Sequence, residues 1–350
     1  MKQFGVLVVD DSSFMRRCIS LILEKDPEFF IIGIARNGID AIEKVQRLKP
    51  DLVTMDLEMP ELNGIEALKE IMKSNPVPVV MLSQHTEEGT KLALEALEEG
   101  AVDFFLKSSL IGDNTSEEII NDFLVRLKAI AKSGKVHLNE EDYIKKETNN
   151  ELVKKTSYSK KRDLIIIGCS TGGPSALQSL LPRFPEDLDV PIIVLQHMPP
   201  GFTKPLSERF DAICNLRVKE IENGDELVPG NIYIAPSGFQ TFLELNNDNK
   251  VTFKVEDYSP IETLYKPSIN VTLNSAAPLF KDRLISIILT GMGNDGLMGC
   301  DNVKKNNGFV IVEAEESCVV YGMPKVVYEA GLADVQVPLS RIFEQIMFNL

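Results

Sequence analysis

The chain has 350 residues, with 37 Lys+Arg against 52 Asp+Glu for a formal net charge of −15, and hydrophobic residues make up 44%. This is a soluble, globular composition, long enough for two domains that each bury a core. The acidic balance argues against nucleic-acid binding by phosphate neutralisation, and no apolar run approaches the roughly 20 residues needed to cross a bilayer.

The first apolar run, residues 6–9, ends at once in Asp10 and Asp11 and so is not a signal-peptide core; a cytoplasmic location is expected. Short apolar runs at residues 4–9, 29–34, 51–55, 78–82 and 101–106 are rich in Val, Ile, Leu and Phe, as strands buried on both faces should be. Helical patterns separate them at 14–24, 39–48, 65–73 and 87–99. Five strands alternating with helices predict an α/β, flavodoxin-like, doubly wound parallel sheet over residues 1–125.

From residue 131 to 162 the chain carries nine Lys/Arg against five Asp/Glu, and Gly134 is its only Gly or Pro. No sustained apolar face appears, so a linker is expected over residues 126–160. A second α/β pattern follows over 161–350. Strands are expected at 164–167, 191–195, 216–218, 231–235, 284–289 and 309–312, and a β-hairpin at 241–245 and 251–255. Helices are expected at 175–181, 204–210, 267–280, 297–306, 324–330 and 339–348. The expectation is a mostly parallel, doubly wound sheet with a hairpin.

Candidate chemistry lies where strands stop. Asp10 and Asp11 follow the first predicted strand, Asp56 the third, Ser83 the fourth and Lys107 the fifth. The carboxyl ends of a parallel sheet form one edge, where ligands of such folds bind. Crowded carboxylates there need a hard cation, and Mg²⁺ suits few protein oxygens and retained waters. Taken singly, Asp11 or Ser12 could cap the first helix, and Ser83 the helix near Glu87.

The segments around Asp10-Asp11, Asp56 and Lys107 resemble the receiver domain of response regulators. The resemblance implies that a partner histidine kinase phosphorylates Asp56, with Mg²⁺ held by Asp11 and Asp56 with help from Asp10, and with Ser83 and Lys107 on the phosphoryl group. Such receivers usually carry Pro after the lysine, in a cis peptide; here Ser108 follows. A non-proline cis bond costs about 2.5–4 kcal/mol, so a trans peptide is expected.

In the second half, Gly168-Cys-Ser170-Thr171-Gly172-Gly173 follows a predicted strand and precedes a predicted helix. It fits G-x-S-x-G, a sharp turn that exposes a nucleophilic hydroxyl. A phosphate-binding glycine loop and a plain helix cap are competing readings. His197 follows the next strand, and Asp295 lies in the glycine-rich loop Gly291-Met292-Gly-Asn-Asp295-Gly. The other histidines fall in the first half (His85) and the linker (His137). A Ser170–His197–Asp295 triad is the economical proposal: the histidine takes the serine proton and the aspartate orients the imidazole and stabilises its cation. A module that only binds, through Gly172-Gly173 and 291–296, is the alternative.

Five scattered cysteines with no C-x-x-C pair make neither a disulfide framework nor a zinc site. Together with Glu-Ser-Cys-Val-Val-Tyr-Gly-Met-Pro at 316–324, these motifs resemble the catalytic domain of the CheB-type protein-glutamate methylesterases of chemotaxis. The resemblance implies hydrolysis of glutamate γ-methyl esters on chemoreceptor cytoplasmic helices, releasing methanol, with deamidation of glutamines by some relatives. It also implies Thr171 near the histidine and Gly172 and Met292 near the oxyanion, with no cofactor for hydrolysis. A monomer that binds no nucleic acid is expected. Relatives commonly carry a histidine after Ile-Ala-Pro, where this chain reads Ser237-Gly-Phe239-Gln240, so Phe239 and Gln240 are given no role.

Overall fold

The computed structural model describes residues 3–84, 86–112, 115–134 and 162–350. The chain divides into two units, Met1–Leu138 and Asn139–Leu350. His85, His137 and linker residues 135–160 lie outside the described residues.

In the first unit, β1 (Phe4–Val9), β2 (Phe29–Ala35), β3 (Leu52–Asp56), β4 (Val79–Ser83) and β5 (Asp103–Leu106) form one parallel sheet in the order β2-β1-β3-β4-β5. Every residue of β1, β3, β4 and β5 is buried, the physical reason these strands read as unbroken apolar runs. Side-chain caps start the intervening helices: Ser12, Asn37, Asn63 and Thr86 accept from Met15, Asp40, Glu66 and Gly89 amides. The first and fourth caps are therefore Ser12 and Thr86, which leaves Asp10, Asp11 and Ser83 for other work.

A further helix, Glu117–Ser133, is capped by Ser116 and ended by Gly134 in the left-handed region. Sequence periodicity missed it: residues 126–133, expected to belong to the linker, are its last two turns. Its buried residues, Phe123, Leu124, Leu127, Ile130 and Ala131, recur at helical spacing, and charged neighbours masked that stripe.

In the second unit the strands are β6 (Leu164–Cys169), β7 (Ile192–Gln196), β8 (Arg217–Glu220), β9 (Asn231–Ile234), β10 (Gln240–Leu245), β11 (Val251–Glu256), β12 (Leu284–Ile288), β13 (Phe309–Glu313) and β14 (Val335–Val337). Seven of them form a wholly parallel sheet, β14-β13-β12-β6-β7-β9-β8. β10 and β11 are the expected antiparallel hairpin. β14 was not expected, because Val-Gln-Val is only half-buried and too short to register as an apolar run. A continuous core includes Ile166, Leu195, Ile269, Leu273, Phe280, Ile288 and Val312.

The strand order reverses beside β6: the chain steps to β7 on one side and returns to β12 on the other. Open α/β sheets form a crevice at such a switch point, outside the strands' carboxyl ends. Ser170, His197 and Asp295 follow three adjacent strands, β6, β7 and β12.

Candidate active site

The turn after β6 is tight. Ser170 N–H donates to Thr290 O at 3.0 Å, and Gly173 N–H donates back to Ser170 O at 2.7 Å. Gly172 has φ +79, and a Cβ added there would come within 2.7 Å of Val319, so both backbone and space demand glycine. Pro174 follows at the start of the helix Gly173–Leu180, where a missing N–H is harmless. Ser170 is 7% exposed.

His197 is the first residue past β7. Its backbone N–H donates to Cys169 O at 3.1 Å, which ties the β6 and β7 ends together. Its Nε2 lies 2.9 Å from Asp295 Oδ2, while Nδ1 is buried and makes no hydrogen bond. No hydrogen bond joins Ser170 to the ring; catalytic bonds are often loose without substrate. The Tyr265 ring lies parallel to the imidazole, with centroids 4.1 Å apart and planes 5° apart.

Asp295 is 2% exposed, and a carboxylate buried this deeply needs partners. Oδ1 accepts from Ser268 Oγ (2.9 Å), Asn270 N (3.0 Å) and Gly296 N (3.1 Å), and Oδ2 accepts from Ile269 N (2.7 Å) as well as His197. Ile269 and Asn270 open the helix Ile269–Phe280, so the carboxylate satisfies two of its orphan amides and sits at the positive end of its dipole. Burial pushes the Asp295 carboxyl up, but the bonds from His197, Asn270 and Ile269 outweigh it and hold the group below its ordinary range. The arrangement is a charged acceptor fixed against an imidazole edge.

Three residues that sequence left without roles complete the site. Gln196, 2% exposed, donates from Nε2 to both Ser170 O (3.1 Å) and His197 O (2.9 Å), joining the two residues by one amide. Gln240 is fully buried, donates to Tyr265 O at 2.8 Å and accepts from Ser268 N at 2.9 Å. Gln240 thus ties down the segment that carries both Tyr265 and Ser268. The pattern Gln-His at a strand end was a signal for Gln196; nothing local marked Gln240 or Tyr265.

Of the support residues, Thr171 is buried and its carbonyl accepts from Thr290 Oγ1 at 3.0 Å. Met292 is half-buried in the loop after β12. Gly291 backs directly onto Ser170: a Cβ added there would stand 2.8 Å from Ser170 Cβ.

In the first unit, oxygens of Asp10, Asp11 and Asp56 lie within 4.8 Å of one another. Asp10 and Asp56 are buried and Asp11 is exposed. Lys107 Nζ lies 2.8 Å from Asp10 Oδ2 and 2.6 Å from Asp56 Oδ2. Burial pushes the Asp56 carboxyl up to about 6; Lys107 lowers it and Asp10 raises it. One ammonium does not balance three carboxylates, and an all-oxygen donor set open on the Asp11 side suits a hard cation. Ser83 Oγ stands 3.0 Å from the carbonyls of both Gln84 and Gly89, so its hydroxyl is engaged by backbone. The cis peptide among the described residues is Lys266–Pro267, so the 107–108 bond is trans, as expected.

Comparison with known proteins places these two sites in a family context. Residues 165–346 match the family model CheB methylesterase, and residues 6–114 match the response regulator receiver domain. The protein-glutamate methylesterase/protein-glutamine glutaminase of Thermotoga maritima is 43% identical over 342 residues, covering 98% of this chain and 97% of the relative. The protein of the same name from Lawsonia intracellularis is 41% identical over 350 residues, covering 97% of this chain and 98% of its own length. The crystal structure of the Thermotoga maritima CheB methylesterase catalytic domain superposes with a TM-score of 0.51 at 44% identity, over 54% of this chain and 98% of that one.

Proposed function

The chain belongs to the CheB methylesterase family, and from that premise we propose that it is a protein-glutamate methylesterase and protein-glutamine glutaminase under the control of its receiver. It acts in the cytoplasm on the cytoplasmic helices of chemoreceptors in bacterial chemotaxis. The observation that carries the reading is the His197–Asp295 bond of 2.9 Å at strand ends adjoining the one that presents Ser170.

In this mechanism Ser170 Oγ attacks the γ-carbonyl of a glutamate methyl ester, and His197 Nδ1, the ring nitrogen without a partner, takes the hydroxyl proton. The charge this creates on the imidazole faces the Asp295 carboxylate. The tetrahedral intermediate expels methoxide, which His197 protonates to methanol. Water, deprotonated by His197, then attacks the acyl-serine, restoring the Ser170 hydroxyl and leaving glutamate. A glutamine amide follows the same course with ammonia as the leaving group. Backbone N–H groups of the 170–172 turn and of the Met292 loop support the oxyanion.

The receiver takes a phosphoryl group on Asp56 from the chemotaxis histidine kinase. Asp10, Asp11 and Asp56 would hold Mg²⁺, which when bound neutralises charge on the phosphoryl oxygens. Lys107 neutralises a further phosphoryl oxygen, and Ser83 donates to another once released from its backbone partners.

The test is methanol release from methylated receptor membranes with and without acetyl phosphate plus Mg²⁺. Release from the wild type that the phosphodonor stimulates, that is lost in Ser170→Ala and that is unstimulated in Asp56→Asn supports both halves. A folded wild type that takes phosphate on Asp56 yet releases no methanol overturns the esterase reading.

A further inference from the structure

We propose that Tyr265 is a positioning residue for His197, holding the plane of the imidazole and favouring its protonated form, and that Gln240 is the strut that keeps it in place. The proposal rests on His197 being the base of the reaction above.

The hydrogen bond from Nε2 to Asp295 fixes one edge of the ring but leaves it free to swing about that bond. Nδ1 supplies no second tether, because it makes no hydrogen bond. The second constraint is the Tyr265 face, parallel to the ring within 5° at 4.1 Å between centroids. An edge and a face together define the direction in which Nδ1 points. An aromatic face is also electron-rich and attracts a cation laid over it. Imidazolium forms when His197 takes the serine proton, so this attraction acts on the step itself.

Tyr265 is fixed from three sides. Its carbonyl accepts from Gln240 Nε2 at 2.8 Å, and its N–H donates to Thr263 Oγ1 at 3.1 Å. Its hydroxyl lies against Gly293, where φ is +91 and an added Cβ would stand 2.7 Å from the tyrosine oxygen. The other amide atom of Gln240 accepts from Ser268 N at 2.9 Å, and Ser268 Oγ donates to Asp295 at 2.9 Å. One buried amide thus sets both the face and, through Ser268, the carboxylate edge. Asp295, from the loop after β12, meets the ring at Nε2, and Tyr265 meets it at its face. Cys169 at the end of β6 adds no charge, since burial pushes its thiol up.

The experiment compares full-length wild type, Tyr265→Phe, Tyr265→Leu and Gln240→Leu, each checked by thermal melting. Methanol release from methylated receptor membranes is followed across pH, and the His197 ring is titrated by NMR, with its signal assigned through His197→Gln. Tyr265→Leu should lower kcat roughly tenfold with KM nearly unchanged. It should move both the acid-side midpoint of kcat/KM and the ring titration down by about half a unit. Tyr265→Phe keeps the aromatic face and should restore both midpoints and most of the rate; Gln240→Leu should fall between the two. An unmoved ring titration in a folded Tyr265→Leu overturns the proposal, as does Tyr265→Phe falling as far as Tyr265→Leu. Because the NMR titration needs no substrate, a wild type without methanol release would sink the esterase reading while the ring titration still decides this one.

Discussion

His197 and Asp295 meet at 2.9 Å because the start of the helix Ile269–Phe280 holds the carboxylate: the amides of Ile269 and Asn270 both donate to it. The carboxylate is therefore held by a helix terminus as well as by the Gly296 amide of its own loop. Replacing Asp295 by Asn keeps the shape, but the new NH₂ must face N–H groups that already donate, and the imidazolium loses its counter-charge. Asp295→Asn should lower kcat by about 10³–10⁴ with little change in KM, measured as methanol release.

The same carboxylate links stability to pH. Its folded pKa lies below its ordinary value of 3.8, so the unfolded state binds the proton more tightly. Its stabilisation is fully present above the unfolded value and is lost as pH falls through the folded one. The difference in unfolding free energy between wild type and Asp295→Asn should therefore be largest near neutrality and shrink below pH 3.8. Urea unfolding at pH 6 and pH 3 checks this; a constant difference would contradict it.

Gln196 is a structural link between Ser170 and His197, since its Nε2 donates to the carbonyls of both. Gln196→Glu is isosteric but turns an acceptor toward two carbonyl oxygens. A loss of roughly 10–100-fold in kcat is expected, in a variant that still melts cooperatively. Activity equal to wild type would show that the β6 and β7 ends are held without it.

The acidic cluster makes a separate prediction, readable without substrate. Calorimetric titration with Mg²⁺ should show one site in the first unit, weakened at least tenfold by Asp11→Ala, because Asp11 is the exposed member of the set and the one on the side open to water. Mg²⁺ should also raise the unfolding free energy by mass action, about 2.7 kcal/mol at a hundred times its Kd. An unchanged Kd in Asp11→Ala would remove that residue from the ligand set.

Cysteine chemistry offers a check on the fold. Cys169 and Cys300 are fully buried, and burial pushes the Cys300 thiol up to about 12. Cys214 is only half-buried, yet burial and the nearby Asp211 push its thiol up to about 12 as well. At pH 8 its thiol is therefore held in the protonated, unreactive form. Folded protein should leave Cys169, Cys214 and Cys300 unalkylated by iodoacetamide at pH 8, with all five cysteines labelled in urea.

The amino-acid sequence by itself determined the two parallel sheets and the residues at their edges, because a strand buried on both faces must be written as a short apolar run and its reactive residue must stand where that run stops. Asp10, Asp56, Ser170 and His197 were legible for that reason, and Asp295 because a glycine-rich loop follows its strand. The helix Glu117–Ser133 was not legible: its apolar stripe is interleaved with charge, and the basic stretch beyond blurred its end. Tertiary structure alone decided which groups meet. Order along the chain says nothing about β6 lying between β7 and β12, the arrangement that gathers Ser170, His197 and Asp295. Gln196, Gln240 and Tyr265 act through contacts with backbone carbonyls and a ring face made by residues distant in sequence. Such contacts leave no periodicity, motif or spacing to read, because they depend on where the folded chain passes and not on what lies next to it.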